Sequence, residues 1–247
     1  EMSRFLSNSD ISRLNDAEPG QTVALGMDSF ECLCRAKEMF GKTGGAFDIS
    51  IGALYGCWLH EDRTLRQPSP KEIQHAHALT GLKHLELDES GFCAEVLTEG
   101  VQFDLGGIGK GYAAEKVAEI LREWSLGQAL VLAGASSVLS VSVPEGMSGW
   151  PMKLRNPENP NKVLARFELK EGAVSGSGRQ KGQHIIDPRS VDVGSVKGRL
   201  AAWSVAPDAI AADASSTAFM MLSDEEINEY CLANARTAAI ILPHADS

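Results

Sequence analysis

The sequence predicts an α+β fold in which helices pack against mixed or antiparallel sheets. Helical and strand patterns mix along the chain without the strict alternation of a doubly wound parallel sheet. Candidate strands follow one another around residues 85–105 and 129–143. Residues 210–222 carry almost only small and apolar side chains in a helical pattern, which indicates a helix that is buried on most sides.

The N-terminal half contains helices whose starts are marked by capping residues. Asp28 with Glu31 resembles a capping box. Ser69 followed by Pro70 combines a serine cap with a proline at the first helical position. In chain order we expect a helix after Ser9, a helix from Asp28 to about Thr43, an extended segment over 46–51, a helix from Ser69 to about Thr80, and two or three strands within 85–105, the last ending in the apolar run 101–105.

The C-terminal half begins with an amphipathic helix that follows Gly111. Its apolar residues recur at helical spacing and share one face; they are Ala113, Val117, Ile120, Leu121 and Trp124. The elements expected after this helix are strands over 129–133 and 138–143, a half-exposed strand over 163–169, a loop over 175–182, a strand over 201–206, the buried helix 210–222, a helix capped by Ser223, and a last strand over 237–242.

Composition and charge argue against several classes of protein. The chain is 43% hydrophobic and 23% charged, which is typical of a globular protein with a large core, and we expect a single domain over residues 1–247. A formal net charge of −10 argues against non-specific nucleic-acid binding, which needs a basic surface. No apolar run approaches the ~18 residues of a membrane-spanning helix. The cysteines number five, and Cys32 and Cys34 point to different faces of a helix, so we expect buried free thiols there and no metal site.

The segment 103–115 joins an apolar run, a glycine-rich turn and the start of a helix. Its glycines are Gly106, Gly107, Gly109 and Gly111. Glycines let the backbone approach an anion, helix N–H groups point at it, and Lys110 adds a positive charge. The pattern predicts a phosphate site, although the spacing fits neither the P-loop nor the dinucleotide-binding fingerprint. A tight turn that is simply rich in glycine is the alternative.

Asp213 and Thr217 are four residues apart on the buried helix, so their side chains share one face. A carboxylate in an apolar helix needs a partner, because a lone buried charge is very costly. Two oxygens that face one way suit a hard cation such as Mg²⁺ or Ca²⁺. In the alternative, Asp213 interacts with the helix dipole and Thr217 bonds back to a backbone carbonyl.

Two further residues are candidates for acid–base chemistry. His184 begins a short apolar segment that Pro188 ends, beside a glycine-rich loop. It is either a general base or a structural histidine that bonds the backbone. Asp48 follows the Gly44-Gly45 turn and is either a functional carboxylate or part of an Asx turn.

Five segments, in this order, carry the most specific signal in the chain: Met2–Asn15, Gly44–Trp58, Asp104–Ala113, His184–Arg189 and Ala212–Ala218. Together they resemble the motifs of the ApbE-type family of FAD:protein FMN transferases. Five motifs in one order are far more specific than any one of them.

This resemblance implies an ApbE-like fold and an enzyme that transfers the FMN half of its substrate FAD to a threonine or serine hydroxyl of a target protein, with release of AMP. It implies His184 as the catalytic base and a metal, Mg²⁺ or Ca²⁺, held by the side chains of Asp213 and Thr217 and the main-chain carbonyl of Ala118. The residues that it implies for FAD binding are Phe5, Ala46, Phe47, Asp48, Gly106, Gly107, Lys110 and Glu115.

Some positions depart from the family's pattern. Phe5 replaces a usual tyrosine, Glu115 replaces a usual aspartate, and Ala135-Ser136 replaces a glycine followed by aspartate or asparagine. Two alternative functions are a protein that binds FAD or hydrolyses it to FMN and AMP without modifying a target, and a non-catalytic interaction module. Family members are commonly exported lipoproteins and the chain opens mid-pattern at Glu1, so we expect an extracytoplasmic, lipid-anchored protein whose leader and first strand precede Glu1. A cytoplasmic location is the alternative.

Overall fold

The structure is a computed structural model that describes residues 1–62, 64–179, 185–190 and 198–244. Contacts within the chain group it into two compact units. The first contains the described residues of 1–107 and 182–196, and the second those of 108–181 and 197–247. Each unit has its own sheet and its own buried apolar cluster. The glycine-rich segment passes from the first unit to the second after Gly107.

The first unit is built from short helices and one antiparallel sheet with the strand order β1-β3-β2. Its elements are α1 (Asp10–Asn15), β1 (Thr22–Ala24), α2 (Met27–Lys42), α3 (Gly52–Trp58), α4 (Pro70–Ala78), a 3-10 turn (Leu82–His84), β2 (Leu85–Asp88) and β3 (Cys93–Val96). The predicted caps at Ser9 and Ser69 are confirmed, and Ser69 with Glu72 forms a full capping box. The cap predicted at Asp28 is wrong, because α2 begins one residue earlier and Asp28 lies within its first turn.

Two segments predicted to be extended, 46–51 and 101–105, do not form regular strands. They meet through a single parallel bridge between Ile51 and Gln102 and through the bond from the Asp104 N–H to the Ile49 carbonyl, 2.7 Å. The side chain of Asn15 pairs with the backbone of Phe103, as a neighbouring strand would. The Asn15 amide accepts from the Phe103 N–H at 2.7 Å and donates to the Phe103 carbonyl at 3.0 Å. Asn15 therefore fixes the backbone immediately before the glycine-rich turn.

We expect Asn15→Asp to destabilise the first unit by about 1–3 kcal/mol, since a carboxylate cannot donate to the Phe103 carbonyl and leaves a buried acceptor unpaired. Urea unfolding followed by circular dichroism measures this loss. Asn161→Asp, at an exposed asparagine of the second unit, is the matched control and should change stability by no more than about 0.5 kcal/mol. Equal stability of the two variants would show that the amide does not hold this segment.

The second unit contains a five-stranded antiparallel sheet with the order β10-β9-β8-β5-β4, and a separate antiparallel pair, β6-β7. Its elements are α5 (Gly109–Glu123), β4 (Leu130–Ala133), β5 (Ser137–Ser140), β6 (Trp150–Arg155), β7 (Val163–Leu169), β8 (Gly172–Gly178), β9 (Arg199–Ala206), α6 (Ala209–Ala218), α7 (Asp224–Ala233) and β10 (Ala238–Pro243). The buried helix and the Ser223 cap are confirmed, although α6 ends at Ala218, four residues before the predicted end.

The loop predicted over 175–182 is wrong where the structure describes it, because Ser175–Gly178 belong to the central strand β8. Serine and glycine are residues typical of turns and loops. Gly176 pairs with Trp203 of β9, and a Cβ at Gly176 would lie 2.6 Å from the Trp203 ring. The glycine therefore makes room for a large cross-strand neighbour within a regular strand.

The apolar face predicted for α5 is not its buried face. Val117, Ile120 and Trp124 are exposed, Trp124 by 74%. The buried residues are small, apart from one tyrosine; they are Gly111, Tyr112, Ala114 and Ala118. Ala114 and Ala118 pack with Ala209 and Ala212 of α6 in one apolar cluster. Small residues let the two helices approach closely, and hydrophobic periodicity alone does not detect such a contact.

The longest described helix, α2, has 16 residues, and within the described ranges no helix combines the length and apolar character that crossing a bilayer requires.

Candidate functional site

The carboxylate of Asp213 is the centre of a polar cluster inside the second unit. Asp213 is 1% exposed and lies in α6. Its Oδ1 accepts from Lys110 Nζ at 3.0 Å, Ser175 Oγ at 3.0 Å and Ser137 Oγ at 3.3 Å. Its Oδ2 accepts from the Gly111 N–H at 3.0 Å and Lys110 Nζ at 3.2 Å. The buried charge therefore has the full set of partners that its burial demands.

Three elements bring these partners to Asp213. Lys110 and Gly111 lie in the first turn of α5, where backbone N–H groups have no partner within the helix. Ser137 of β5 and Ser175 of β8 face each other in the sheet register, and their hydroxyls are 2.7 Å apart. The helix N-terminus that the sequence predicts as a phosphate site thus already directs the Gly111 N–H and the Lys110 ammonium to an internal anion. The predicted contact of this turn with FAD stays a prediction.

Gly111 permits the close approach of α5 and α6. A Cβ at this position would lie 2.2 Å from the Ala209 carbonyl oxygen and 2.9 Å from Asp213 Cβ. The next turn of α5 adds a polar link, because Glu115 Oε1 accepts from the Ala209 N–H at 2.6 Å. Burial raises the pKa of Glu115 and the charge of Asp208 adds to that rise, while the Ala209 N–H lowers the pKa. The carboxylate of Glu115, which is predicted to bind FAD, therefore bonds the first residue of α6.

We expect Gly111→Ala to destabilise the protein by about 1–3 kcal/mol, because the added methyl group overlaps a backbone carbonyl that cannot move aside alone. Helix propensity favours alanine over glycine by at most about 1 kcal/mol, so the overlap dominates. Gly41→Ala in α2 is the matched control, since nothing lies within 4 Å of its added Cβ and propensity should stabilise it. Urea unfolding of both variants measures the difference. A Gly111→Ala protein as stable as the wild type would contradict the close approach of α5 and α6.

Thr217 lies one turn after Asp213 among other hydroxyl groups. Its Oγ1 is 3.1 Å from Ser177 Oγ and 3.4 Å from the Asp213 carbonyl oxygen, to which it donates. Ser177 Oγ is also 2.9 Å from Ser216 Oγ. The bond back to a carbonyl, one of the two alternatives that the sequence leaves open for Thr217, is present, and Asp213 has side-chain partners beyond the helix.

The donor set around Asp213 fits a hard divalent cation in its chemistry. A carboxylate and several hydroxyls are the oxygen ligands that Mg²⁺ and Ca²⁺ prefer. No group of three or more His, Cys, Asp or Glu residues suited to a metal exists in the described part of the chain. A cation here would therefore depend on one carboxylate with neutral oxygens. Ala118, predicted to add its carbonyl, is fully buried in α5 and lies seven residues, about 10 Å along the helix axis, beyond Gly111, whose N–H bonds the Asp213 carboxylate. Its carbonyl therefore does not reach a cation at that carboxylate.

In the first unit, three adjacent residues predicted to bind FAD are buried: Ala46, Phe47 and Asp48. Asp48 Oδ1 accepts from the Ser50 N–H at 2.8 Å and from Ser50 Oγ at 2.6 Å, so the Asx turn is present. Burial raises the pKa of Asp48, while the Ser50 bonds and the charge of His84 lower it. His84 is buried too, and its Nδ1 is 2.9 Å from Thr98 Oγ1.

This shift in pKa makes stability depend on pH in a definite direction. As pH rises, Asp48 loses its proton in the unfolded chain near pH 3.8, and in the folded protein only at a higher pH. The contribution of Asp48 to stability is therefore full below that value and is lost as pH rises through the raised value. Asp48→Asn keeps an Oδ1 acceptor for Ser50 and removes this loss. We expect the stability of the variant relative to the wild type to increase from about pH 4 to pH 7. Urea unfolding at several pH values measures it, and a pH-independent difference would contradict the assignment.

Phe5 and the glycine-rich turn are linked through an arginine that sequence reasoning did not single out. Phe5 is 76% exposed, and the Arg4 guanidinium lies 5.2 Å from its ring centroid. Arg4 also pairs with Asp104 at 3.3 Å, and Asp104 Oδ1 accepts from the Gly106 N–H at 2.7 Å. The Asp104 carboxylate thus holds the turn before Gly107 by accepting from the Gly106 N–H, and Arg4 neutralises its charge.

The predicted base, His184, lies outside the described residues. The motif that it begins is described from Ile185 onward, where Ile186 packs in the apolar cluster around α3 and Arg189 pairs with Asp187 at 3.0 Å. Sequence reasoning missed Arg4, which pairs with Asp104, and three serines that lie near Asp213 and Thr217, namely Ser137, Ser175 and Ser177. The serines are far apart in sequence, so their proximity becomes visible only when the pairing of their strands is known.

Comparisons with known proteins agree with this architecture. The model of the ApbE family matches residues 1–241. The chain is 25% identical to the FAD:protein FMN transferase of Escherichia coli (strain K12), over 100% of this chain and 74% of that protein. It is 27% identical to the FAD:protein FMN transferase of Salmonella typhimurium, over 92% of this chain and 69% of that protein.

Solved structures confirm the predicted α+β fold. The ApbE protein of Thermotoga maritima matches with a TM-score of 0.85 and 28% identity, over 98% of this chain and 81% of that one. The flavinyl transferase ApbE of Pseudomonas stutzeri matches with a TM-score of 0.84 and 25% identity, over 99% of this chain and 78% of that one. Because the family model matches nearly the whole sequence, the chain belongs to the ApbE family.

Proposed function

We propose that this chain is an FAD:protein FMN transferase, an enzyme that moves the FMN moiety of FAD to a threonine or serine hydroxyl of a target protein. The observation that carries the proposal is the family match over residues 1–241, together with relatives that bear this name. The geometry adds support. Two of the motif segments, distant in sequence, meet at Asp213, where Lys110 and Gly111 contact its carboxylate.

The reaction is a phosphoryl-type transfer at the phosphorus of the FMN half. The acceptor hydroxyl oxygen forms a bond to that phosphorus, the P–O bond to the AMP half breaks, and AMP leaves with the bridging oxygen. The hydroxyl proton passes to a base. Such reactions depend chiefly on positioning and on neutralising the phosphate charge, and much less on covalent chemistry by the protein.

A divalent cation fits the second unit as the source of part of that neutralisation. Asp213 and Thr217 would hold it with side-chain oxygens, and when bound it would neutralise pyrophosphate charge. The chain's own residues hold the carboxylate in one orientation. Ser175 donates to Oδ1, Ser137 donates to Ser175, and the Gly111 N–H donates to Oδ2.

His184 is the proposed base. The support is its place in the fourth motif segment and an unperturbed pKa of about 6.5, which leaves an imidazole mostly neutral at pH 7. Asp48 is the rival, and its raised pKa makes it a better proton acceptor than an ordinary carboxylate. Ser50 already occupies one of its oxygens through two bonds, which favours a structural role for Asp48.

Chromatography of FAD incubations tests the proposed function against its two alternatives. The protein is incubated with FAD, Mg²⁺ and a pool of peptides that each contain one threonine. A transferase releases AMP without an equal amount of free FMN. A hydrolase releases AMP and free FMN in equal amounts, and an interaction module releases neither. Either of the last two results would contradict transfer.

A further inference from the structure

We propose that Lys110 is the resident counter-ion of Asp213, and that a divalent cation binds at Asp213 by displacing the Lys110 ammonium. This inference rests on the proposed function, because only the proposed reaction calls for a divalent cation at Asp213. It assigns to Lys110 a role in setting metal affinity, in addition to the contact with FAD that the sequence predicts.

The first support is the position of the ammonium. Lys110 Nζ lies 3.0 Å from Oδ1 and 3.2 Å from Oδ2 of Asp213, so one cation contacts both carboxylate oxygens. A carboxylate that binds Ca²⁺ through both oxygens places the ion on this same bisecting line, and Mg²⁺ bound to either oxygen would also lie within contact distance of the ammonium. Lys110 therefore occupies the place where a bidentate metal would sit.

The second support is the charge balance. Among the residues that the structure describes, the partners of the Asp213 carboxylate other than Lys110 are neutral donors: Gly111, Ser137 and Ser175. One negative charge in a site that is 1% exposed balances one ammonium. An ammonium and a divalent ion cannot occupy the same position on one carboxylate, and their like charges repel each other. Binding of the metal therefore requires the ammonium to leave.

The third support is that Lys110 has a path to leave. Its side chain is 38% exposed, whereas that of Asp213 is 2% exposed, so the lysine reaches the carboxylate from the solvent side. A lysine has a flexible stem and a compact head that water solvates well. The neutral donors belong to the first turn of α5 and to paired strands, and they keep the carboxylate in place during the exchange.

Mg²⁺ binding measured by isothermal calorimetry, without FAD or acceptor, tests the exchange in the full chain. Lys110→Met removes the competing charge and keeps most of the stem, and we expect Mg²⁺ to bind at least about 10-fold more tightly, since the buried carboxylate then has no cation. Lys110→Arg keeps the charge and offers a fork that matches a carboxylate, and we expect Mg²⁺ affinity at or below that of the wild type.

Lys116→Met is the matched control. Lys116 is on the same helix and pairs with Glu119 at 2.7 Å, so this variant loses an equal charge away from Asp213. Its Mg²⁺ affinity should stay within about two-fold of the wild type, because salt screens exposed charges. Circular dichroism verifies folding, and if Lys110→Met does not fold, Lys110→Gln takes its place with the same expectation.

The outcomes separate this inference from the proposed function. Tighter binding by Lys110→Met, with Lys116→Met unchanged, supports the exchange. Affinities of Lys110→Met equal to or weaker than that of the wild type overturn it and leave the metal site intact. If no variant and no wild-type protein binds Mg²⁺, the metal site itself is wrong and the exchange falls with it.

Discussion

Asp213→Asn is expected to lower the rate of FMN transfer by roughly 10²–10³-fold, because a metal typically supplies several kcal/mol of charge stabilisation in the transition state. The substitution removes the charge that would hold the cation, while the amide oxygen still accepts from Ser175 or Gly111. It also leaves the Lys110 ammonium without the carboxylate that lies 3.0 Å from it. Transfer rates at saturating FAD over a range of Mg²⁺ concentrations measure the effect.

The matched control is Asp208→Asn at the N-cap of the same helix. Asp208 caps α6 by accepting from the Ala211 N–H at 2.7 Å, and asparagine caps about as well. This variant should transfer FMN within about three-fold of the wild type, since it keeps the cap and the Asp213 cluster. An Asp213→Asn protein that is folded and retains the wild-type rate and Mg²⁺ dependence would show that the cation is not held at Asp213.

His184→Ala is expected to lower transfer by about 10²–10⁴-fold while FAD binding is retained, because a positioned base matters most for a weak nucleophile such as a threonine hydroxyl. The rate should rise with pH in the wild type as the imidazole loses its proton, and this rise should vanish in the variant. Rates between pH 5 and 9 and parallel FAD binding isotherms measure both effects.

His75→Ala, at an exposed histidine of α4, is the control for loss of a histidine elsewhere. It should leave rate and pH profile unchanged. If His184→Ala transferred FMN within a few-fold of the wild type, the base would be another group. If the same variant kept the wild-type pH profile at a lower rate, His184 would have a structural role only.

Local patterns predicted much of the fold, because capping and alternation depend on neighbours in sequence. The caps at Ser9, Ser69 and Ser223 follow from side chains that bond to N–H groups three residues away. The strand over 163–169 follows from its alternating pattern. Predictions failed where a distant partner decided the structure. Gly176 lies in a central strand, where its lack of a side chain leaves room for the ring of Trp203 on the neighbouring strand.

The same distinction applies to the site. The four-residue spacing of Asp213 and Thr217 predicted that they share a face. The glycine-rich turn before α5 predicted an anion at the helix N-terminus, with a tight turn that is simply rich in glycine as the alternative. Sequence alone did not reveal that Asp213 is such an anion, because its partner Lys110 is 103 residues away. The apolar face predicted for α5, which includes Val117 and Trp124, is exposed for the same reason: the residues of α5 that contact the distant helix α6 are small.

Tandem mass spectrometry of the acceptor tests the central claim most directly. The protein is incubated with FAD, Mg²⁺ and the single-threonine peptide pool, and in parallel with a pool that carries valine in place of threonine. We expect a mass increase of FMN minus water on the threonine side chain, released AMP in equal amount, and loss of both with EDTA or valine. FAD turnover that leaves the threonine peptides unmodified, or an equal adduct on the valine pool, would contradict transfer to a hydroxyl.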